Sequence, residues 1–482
     1  MKVALSRKNL WNATPRFVRH TVARVADLVP ARVLWGADFR RHAAFVAAAD
    51  RWSADQAAAY QLRRLREIIT LAYEKTEHYR QTWKALGFHP GDLRSLDDLR
   101  RLPTIDKQTV LEHGPRMRAR PITDASVDYV STGGSSGTPL HFYIGRERSA
   151  VEFAYLTAAW QRAGYRPGMP LAELRGRVVP PGRRGVRHEY DPILRRHYYS
   201  NFHTTDDDLR RYLAHLASIG PCFLHVYPSS AATLARFIER SGQAVPSNLR
   251  GLLVGSETVF ADERALVERI FGVRYFSWYG HTEKLVLAAE CEHATDYHVF
   301  PTYGYCELLD EAGRPITTPG QRGEIVGTGF INTVMPFIRY RTGDYATYAA
   351  GRCDACGRQH PVLRDVEGRR PSGALVTRDR DLVSMTALNV HDDTFRNVRR
   401  YQFYQDTVGH AVVRVVPVNG FCEDDQARVL RTLAQRLGDR VTLTLEVCDD
   451  IPLTPRGKAI WVEQRLDIAA WTGRRPGDRS TP

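Results

Sequence analysis

The sequence predicts an α/β protein with a smaller α+β unit at its C-terminal end, on three observations. Between about residues 125 and 365, short β-rich runs alternate with helical ones. That strand–helix–strand rhythm implies a mainly parallel sheet with functional loops at the C-terminal ends of its strands. Residues 15 to 120 read as helix, and a second set of strands with one helix follows a basic, turn-rich stretch near 367–382, EGRRPSGALVTRDRDL. A chain of 482 residues that is 43% hydrophobic is long enough for two or three packed domains.

Taken in order, SADQAAAYQLRRLREIITLAYEKTEHYRQTWKALG carries apolar residues at helical spacing and closes on Gly87. CFLHVY precedes the helical SAATLARFIERSG, LRGLLVGS precedes ADERALVERIFG, and VRYFSWYG follows. YGYCELLD, GEIVGTGF and FIRYRTGDYATY are later strands. The small unit contains RRYQFYQ, HAVVRVVPV, a helix EDDQARVLRTLAQRLG, RVTLTLEV and a glycine-bearing loop, IPLTPRGKAIW. The expected divisions are a helical lead-in at 1–120, a large unit at 121–367, a hinge at 368–373, a small unit at 374–470 and a disordered tail at 471–482.

Composition narrows the function. The formal charge is +14, yet only seven lysines stand among 68 basic residues, and the arginines are dispersed. No basic block is interleaved with stacking aromatics, so nucleic-acid binding is not expected. The positive field favours anionic substrates such as nucleotides. No apolar run approaches the ~20 residues of a membrane span, and the N-terminal MKVALSRKNLW lacks the apolar core of a signal peptide. A cytoplasmic protein, monomeric or homodimeric, is the expectation. Residues 15–35 are basic and amphipathic, as in a surface helix. Seven cysteines in so long a chain do not describe a disulfide framework.

The densest chemical signal is STGGSSGTP, from Ser131 to Pro139, with three glycines and five hydroxyl side chains between two strand-like runs. It lacks the spacing of a Walker A loop. Free N–H groups and hydroxyls there can hold a polyphosphate, although a plain linker has the same composition. WYGHTEK places Tyr279, Thr282 and Glu283 directly after a strand, offering a ring for a base, a hydroxyl for a phosphate and a carboxylate for Mg²⁺. YRTGDYA puts Asp344 behind a Gly343 turn, where a carboxylate can accept two ribose hydroxyls. Lys458, in PLTPRGKAI, is a cation that can neutralise charge developing at an α-phosphate. Each has a plainer alternative: core tyrosine, solvated acid, turn aspartate, surface lysine.

Together and in this order these motifs resemble the adenylate-forming superfamily of acyl-CoA synthetases, luciferases and peptide-synthetase adenylation domains. Within it the resemblance is to the phenylacetate–coenzyme A ligase-like family, including its capsule-biosynthesis members. LRSLDDLRRLPTIDKQTV, VYPSS, GSE, YHVFPTYGYCELLD, MPFIRYRTGD, EGR and PRGK add to it, from about residue 65 to 465. The resemblance implies a large adenylate-forming domain with mixed sheets and a small mobile C-terminal lid. It also implies ATP-dependent activation of a small carboxylic acid through an acyl-adenylate, then transfer to a thiol, usually that of coenzyme A. Residue by residue, it assigns Ser131, Thr132, Gly133, Gly134, Ser135, Ser136, Gly137 and Thr138 to the phosphates. Gly255, Ser256, Glu257, Tyr279 and Gly280 go to the nucleotide, and Asp344 and Arg369 to the ribose. Thr282 and Glu283 serve phosphate and Mg²⁺, and Lys458 the adenylation step. Tyr227, Pro228, Ser229, Trp278 and His281 are placed in the substrate pocket.

Two features qualify the resemblance. Gly368-Arg369 is followed by Arg370, Pro371, Ser372 and Gly373, with no acid before Asp379, where the family carries an acidic pivot. An amide or ester ligase, or an adenylyltransferase with a non-CoA acceptor, is therefore an alternative. A non-catalytic nucleotide-binding subunit of a polysaccharide or natural-product assembly is another. The second feature is Cys353-x-x-Cys356, half of a zinc site by spacing, with Cys291 and His293 or His298 about sixty residues earlier. Some relatives hold a structural zinc beside the nucleotide site. The resemblance thus implies a Zn²⁺ held by Cys291, His298, Cys353 and Cys356, with His293 or His360 as substitutes.

Overall fold

The computed structural model describes residues 29–123, 126–132, 140–182, 185–368, 374–380, 382–384, 388, 390, 394–395, 397–418, 420–452 and 461–468. The lead-in is built on helices α1 (Gly36–Ala49), α2 (Ala54–Lys75), α3 (Glu77–Ala85) and α4 (Lys107–His113). Ser53 starts α2 through a capping box with Gln56. Leu65, Ile68, Ile69 and Ala72, at helical spacing, form its buried stripe. Thr76 ends α2 and caps α3 by accepting the Tyr79 N–H. Helices α2, α3 and α4 share a core with the strands from Leu285 to Leu363, while Val46 of α1 packs in a second core with Tyr155 and Trp160. Buried Arg339 holds Glu307 through two hydrogen bonds of 2.9 and 3.0 Å and also donates to the Arg100 and Leu102 carbonyls.

Strands β1 (Val127–Ser131) and β2 (His141–Gly145) form an antiparallel hairpin, followed by α5 (Arg148–Gln161). The main sheet takes β3 (Leu171–Leu174), β4 (His188–Asp191), β5 (Arg196–Tyr199), β6 (Cys222–Val226), β7 (Leu249–Gly255) and β8 (Arg274–Gly280). It continues through β9 (Leu287–Ala289), β10 (Tyr297–Val299), β11 (Gly304–Leu309), β12 (Arg322–Gly329), β13 (Tyr340–Ala350) and β14 (Val362–Glu367). The order is β11-β12-β13-β14-β10-β9-β8-β7-β6-β3-β5-β4. Within this sheet only the run β5-β3-β6-β7-β8 is parallel, so the sheet is mixed and the mainly parallel expectation is corrected. Parallel pairing needs a crossover. Helices α6 (Asp206–Ser218), α7 (Pro228–Ser241) and α8 (Ala261–Phe271) supply three. After β8 the chain doubles back by short turns, and pairing becomes antiparallel.

Beyond it, β15 (Ala374–Val376) and β16 (Leu382–Ser384) form a hairpin. A separate four-stranded sheet follows, with β17 (Val398–Thr407), β18 (His410–Pro417), β19 (Thr442–Val447) and β20 (Val462–Gln464) in the order β19-β18-β17-β20. Helix α9 (Glu423–Leu437) covers it with Val429 and Leu433. Phe202, in the loop after β5, and Tyr227, after β6, are buried in this same core. The small unit therefore rests on the C-terminal ends of the large sheet's parallel strands. Among the described residues no helix is long and apolar enough to cross a membrane.

Candidate active site

The C-terminal ends of β7 and β8, together with β10, β13 and β14, enclose a cavity of about 170 Å³. Its walls are the segments Ser256–Thr258 and Trp278–Gly280, with Tyr297, Asp344, Val366 and Gly368. At Gly255 an added Cβ would lie 2.6 Å from Trp278 Nε1, so glycine alone lets the indole lie against the end of β7. Ser256 has a φ of +73°, a strained position for a residue with a side chain. Glu257 accepts the Ser229 N–H at 3.0 Å and so ties this turn to the first turn of α7. Pro228 is the opening residue of that helix.

Across the cavity the Tyr279 hydroxyl donates to Asp344 Oδ2 at 2.8 Å. Asp344 is held from its own strand as well: its N–H reaches Thr342 Oγ1 at 3.1 Å, and that hydroxyl donates to the Ile325 carbonyl at 2.6 Å. Gly343, at φ +72°, makes the turn and donates its N–H to Glu324 Oε1 at 2.9 Å. Burial, then the Asp344 charge, pushes the Tyr279 phenol well above its ordinary range, so it stays a donor. His281 Nδ1 and Glu283 Oε2 lie 3.8 Å apart on the turn after β8, each 13% exposed, and Thr282 stands between them. The His281 ring meets Tyr279 edge-on at 5.7 Å.

Ser256, Glu257, Trp278, Tyr279, Gly280 and Asp344 thus meet around one space, supported by Gly255. Tyr227 is buried in the core it shares with the small unit, with the Arg175 guanidinium 4.7 Å above its ring. Thr132 closes the base of the glycine-rich loop, because its N–H bonds the Leu140 carbonyl at 2.8 Å and its Oγ1 accepts the Leu140 N–H at 3.1 Å. Ser131 is buried beside it. Gly133, Gly134, Ser135, Ser136, Gly137, Thr138, Arg369 and Lys458 lie outside the described residues. Sequence reasoning missed Tyr297 and Arg175, which donates to Ser256 Oγ. Of these, Tyr297 carried a signal: period two in YHV puts it on the face opposite His298.

His298 leads to the second cluster. Cys291, His298, Cys353 and Cys356 bring one ligand atom each within 4.8 Å of one another. His298 Nδ1 lies 3.0 Å from the Asp296 carbonyl, which turns Nε2 toward Cys356 Sγ at 3.5 Å. Cys291 Sγ accepts the N–H groups of His293 and Ala294 at 3.4 and 3.3 Å. Burial opposes ionisation of Cys356, but hydrogen bonds from Arg358 prevail and hold its thiol below the ordinary value. The exposed His293 stays outside the cluster. His360 is buried near Asp50, also outside it.

The family described as the CapK C-terminal domain matches residues 375–465. The phenylacetate-coenzyme A ligase of Escherichia coli is 26% identical over 306 residues, covering 62% of this chain and 69% of that protein. That of Thermus thermophilus is 27% identical over 321 residues, covering 64% and 70%. Protein CapK of Staphylococcus aureus is 22% identical over 403 residues, covering 83% and 87%. Among solved structures, 2-hydroxyisobutyryl-CoA ligase in the postadenylation state aligns with a TM-score of 0.55 at 20% identity, over 88% of this chain and 93% of that one. Its complex with 2-HIB-AMP and CoA in the thioesterification state aligns at 0.54 and 19% identity, over 88% and 92%. At such identities the structural likeness speaks for fold alone.

Proposed function

The chain belongs to the phenylacetate–coenzyme A ligase-like, CapK-related family of adenylate-forming enzymes, and from that premise we propose that it activates a carboxylic acid with ATP and passes the acyl group to coenzyme A. The observation that carries this reading is the Tyr279–Asp344 hydrogen bond across a cavity whose other walls come from residues 256–258 and 366–368. Side chains more than a hundred positions apart in sequence line one cavity of about 170 Å³. The whole substrate needs more, since ligand sites usually span about 300–1,000 Å³.

In the first step a carboxylate oxygen attacks the α-phosphorus of ATP, and pyrophosphate leaves. Asp344 accepts the ribose hydroxyls while one of its oxygens stays on Tyr279, and Arg369 assists. The adenine lies against Tyr279 and the Ser256–Glu257 turn. Thr282 and the loop from Ser131 to Thr138 hold phosphate oxygens by N–H and hydroxyl donors. Lys458 neutralises the charge that develops at the α-phosphate. Glu283, a partly buried carboxylate on the turn after β8, suits Mg²⁺, which prefers oxygen ligands and phosphates. That ion would offset phosphate charge. In the second step a thiolate sulfur attacks the acyl carbon, the carbonyl–oxygen bond breaks and AMP departs with that oxygen. The small unit, 374–470, is the moving part and 368–373 its pivot.

The donor set of Cys291, His298, Cys353 and Cys356 suits a tetrahedral zinc with no open position, hence a structural ion. Held there, it would brace β10, whose Tyr297 lines the cavity while His298 points the other way. A second reading keeps the adenylate and changes the acceptor to an amine or hydroxyl, on the observation that no acid follows Gly368-Arg369 before Asp379. Labelled pyrophosphate exchange into ATP, run against aryl, fatty and sugar acids with and without coenzyme A, tests both. Acid-dependent exchange, lost in Lys458→Ala, and an acyl-CoA product are expected. Exchange without any CoA product selects the second reading, and no exchange with any acid removes both.

A further inference from the structure

We propose that His188, His197 and His215 form a second metal site, separate from the cysteine cluster and suited to a borderline divalent cation such as Zn²⁺. Strands β4 and β5 pair antiparallel, with His188 opposite Tyr199 and Tyr190 opposite His197. The two-residue period therefore puts all four side chains on one face of the hairpin. Helix α6 packs on that face and presents His215 from its last turn. One ring nitrogen of each histidine lies within 4.8 Å of the others. The His188 and His215 rings are 4.0 Å apart, centre to centre, and those of His188 and His197 are 5.2 Å apart.

Further observations favour a cation. The site is imidazole-only, a set that selects Zn²⁺, Ni²⁺, Co²⁺ or Cu²⁺ over Mg²⁺ or Ca²⁺. His188 Nε2 and His197 Nδ1 are 3.0 Å apart. Two nitrogens of one tetrahedral zinc, each bonded at about 2.0–2.1 Å, sit about 3.3 Å apart, so the pair opens by only a few tenths of an ångström to admit the ion. His215 Nδ1 meets the buried Tyr199 hydroxyl at 2.7 Å, the outer hydrogen bond that orients a metal-bound imidazole and fixes its tautomer. The end of α6 adds a negative helix terminus. Three protein ligands leave a fourth position for water or a small anion.

The placement gives the site a mechanical role. β5 leads directly to Phe202, which is buried in the core of the small unit, and His203 Nε2 lies 3.9 Å from a Cβ built on Gly438. An ion joining the edge hairpin to α6 stiffens the ledge on which that unit rests. The histidine site stands at one sheet edge and the cysteine cluster beside the central strands β9 and β10; five strand spacings separate β5 from β9, roughly 24 Å.

Untagged full-length protein, stripped with a chelator and titrated with Co²⁺, tests this. A histidine-only ion gives visible d–d bands without the sulfur-to-cobalt charge-transfer band of a thiolate site. His197→Ala and His188→Ala should each weaken the nitrogen-only binding at least tenfold and leave the thiolate band intact, which also reports correct folding. Cys353→Ser/Cys356→Ser should do the reverse. Tyr199→Phe should weaken the histidine site by about tenfold, as loss of an outer hydrogen bond does. Should either single variant fail to fold, His215→Ala takes its place. Wild-type protein with no nitrogen-only cobalt signal, or histidine variants that bind cobalt as wild type does, would overturn the proposal.

Discussion

Replacing Tyr279 by phenylalanine removes one oxygen from the cavity wall and keeps the ring. The lost interaction is the 2.8 Å bond to Asp344 Oδ2. Hydrogen bonds to charged groups contribute about 1.5–3 kcal/mol. Asp344 is only half-buried, so water replaces part of the loss and the lower end applies. About 1.5 kcal/mol corresponds to about a tenfold weakening of ATP binding, because the carboxylate is no longer fixed where the ribose meets it. Calorimetric titration with ATP, acid omitted, measures it. Asp344→Asn weakens binding too, and in the double variant the two effects should fall short of additivity by at least ~0.5 kcal/mol. The buried phenol stays protonated, so the wild-type affinity should show no tyrosine ionisation up to pH 9. Tyr279→Phe binding within twofold of wild type, or strict additivity, would refute this account of how Asp344 is held.

Glu307→Gln should destabilise the large unit by about 3–5 kcal/mol in denaturant titration, because it strands the buried Arg339 guanidinium. Acid should weaken the fold through its buried histidines. Burial pushes His141 down to about 4, and burial with Arg175 beside it pushes His225 down to about 3. The unfolded chain binds these protons near pH 6.5, so stability is full above that value and falls as the pH drops toward 4. A melting midpoint that is flat from pH 7 to 4.5 would contradict this. In Cys353→Ser/Cys356→Ser, elemental analysis should find one zinc equivalent fewer and a lower melting midpoint. Pyrophosphate exchange per folded molecule should stay within a few-fold of wild type.

The central strands and their crossover helices were legible because each is a long apolar run next to a helical period, as CFLHVY and SAATLARFIERSG are. The hairpin of β4 and β5 was not: HEYD and RHYY are only four residues each and carry charged and histidine side chains in place of an aliphatic run. That omission and the short turns after β8 are why a mixed sheet read as mainly parallel. At the site, Tyr279, Asp344 and Glu257 stood out because each sits in a turn beside glycine or a strand end. Arg175 reaches Ser256 from an ordinary-looking position that only the tertiary fold brings near. The cysteine cluster was half visible in Cys353-x-x-Cys356, whereas the three-histidine cluster spans 188 to 215 with no motif spacing.

The transfer of oxygen isolates the central chemical step. With a substrate acid carrying ¹⁸O in its carboxylate, ATP and coenzyme A, mass spectrometry of the nucleotide product should find one ¹⁸O atom in the phosphate of AMP. Unlabelled AMP, or ADP with labelled inorganic phosphate, would mean that the carboxylate never bonds to the α-phosphorus.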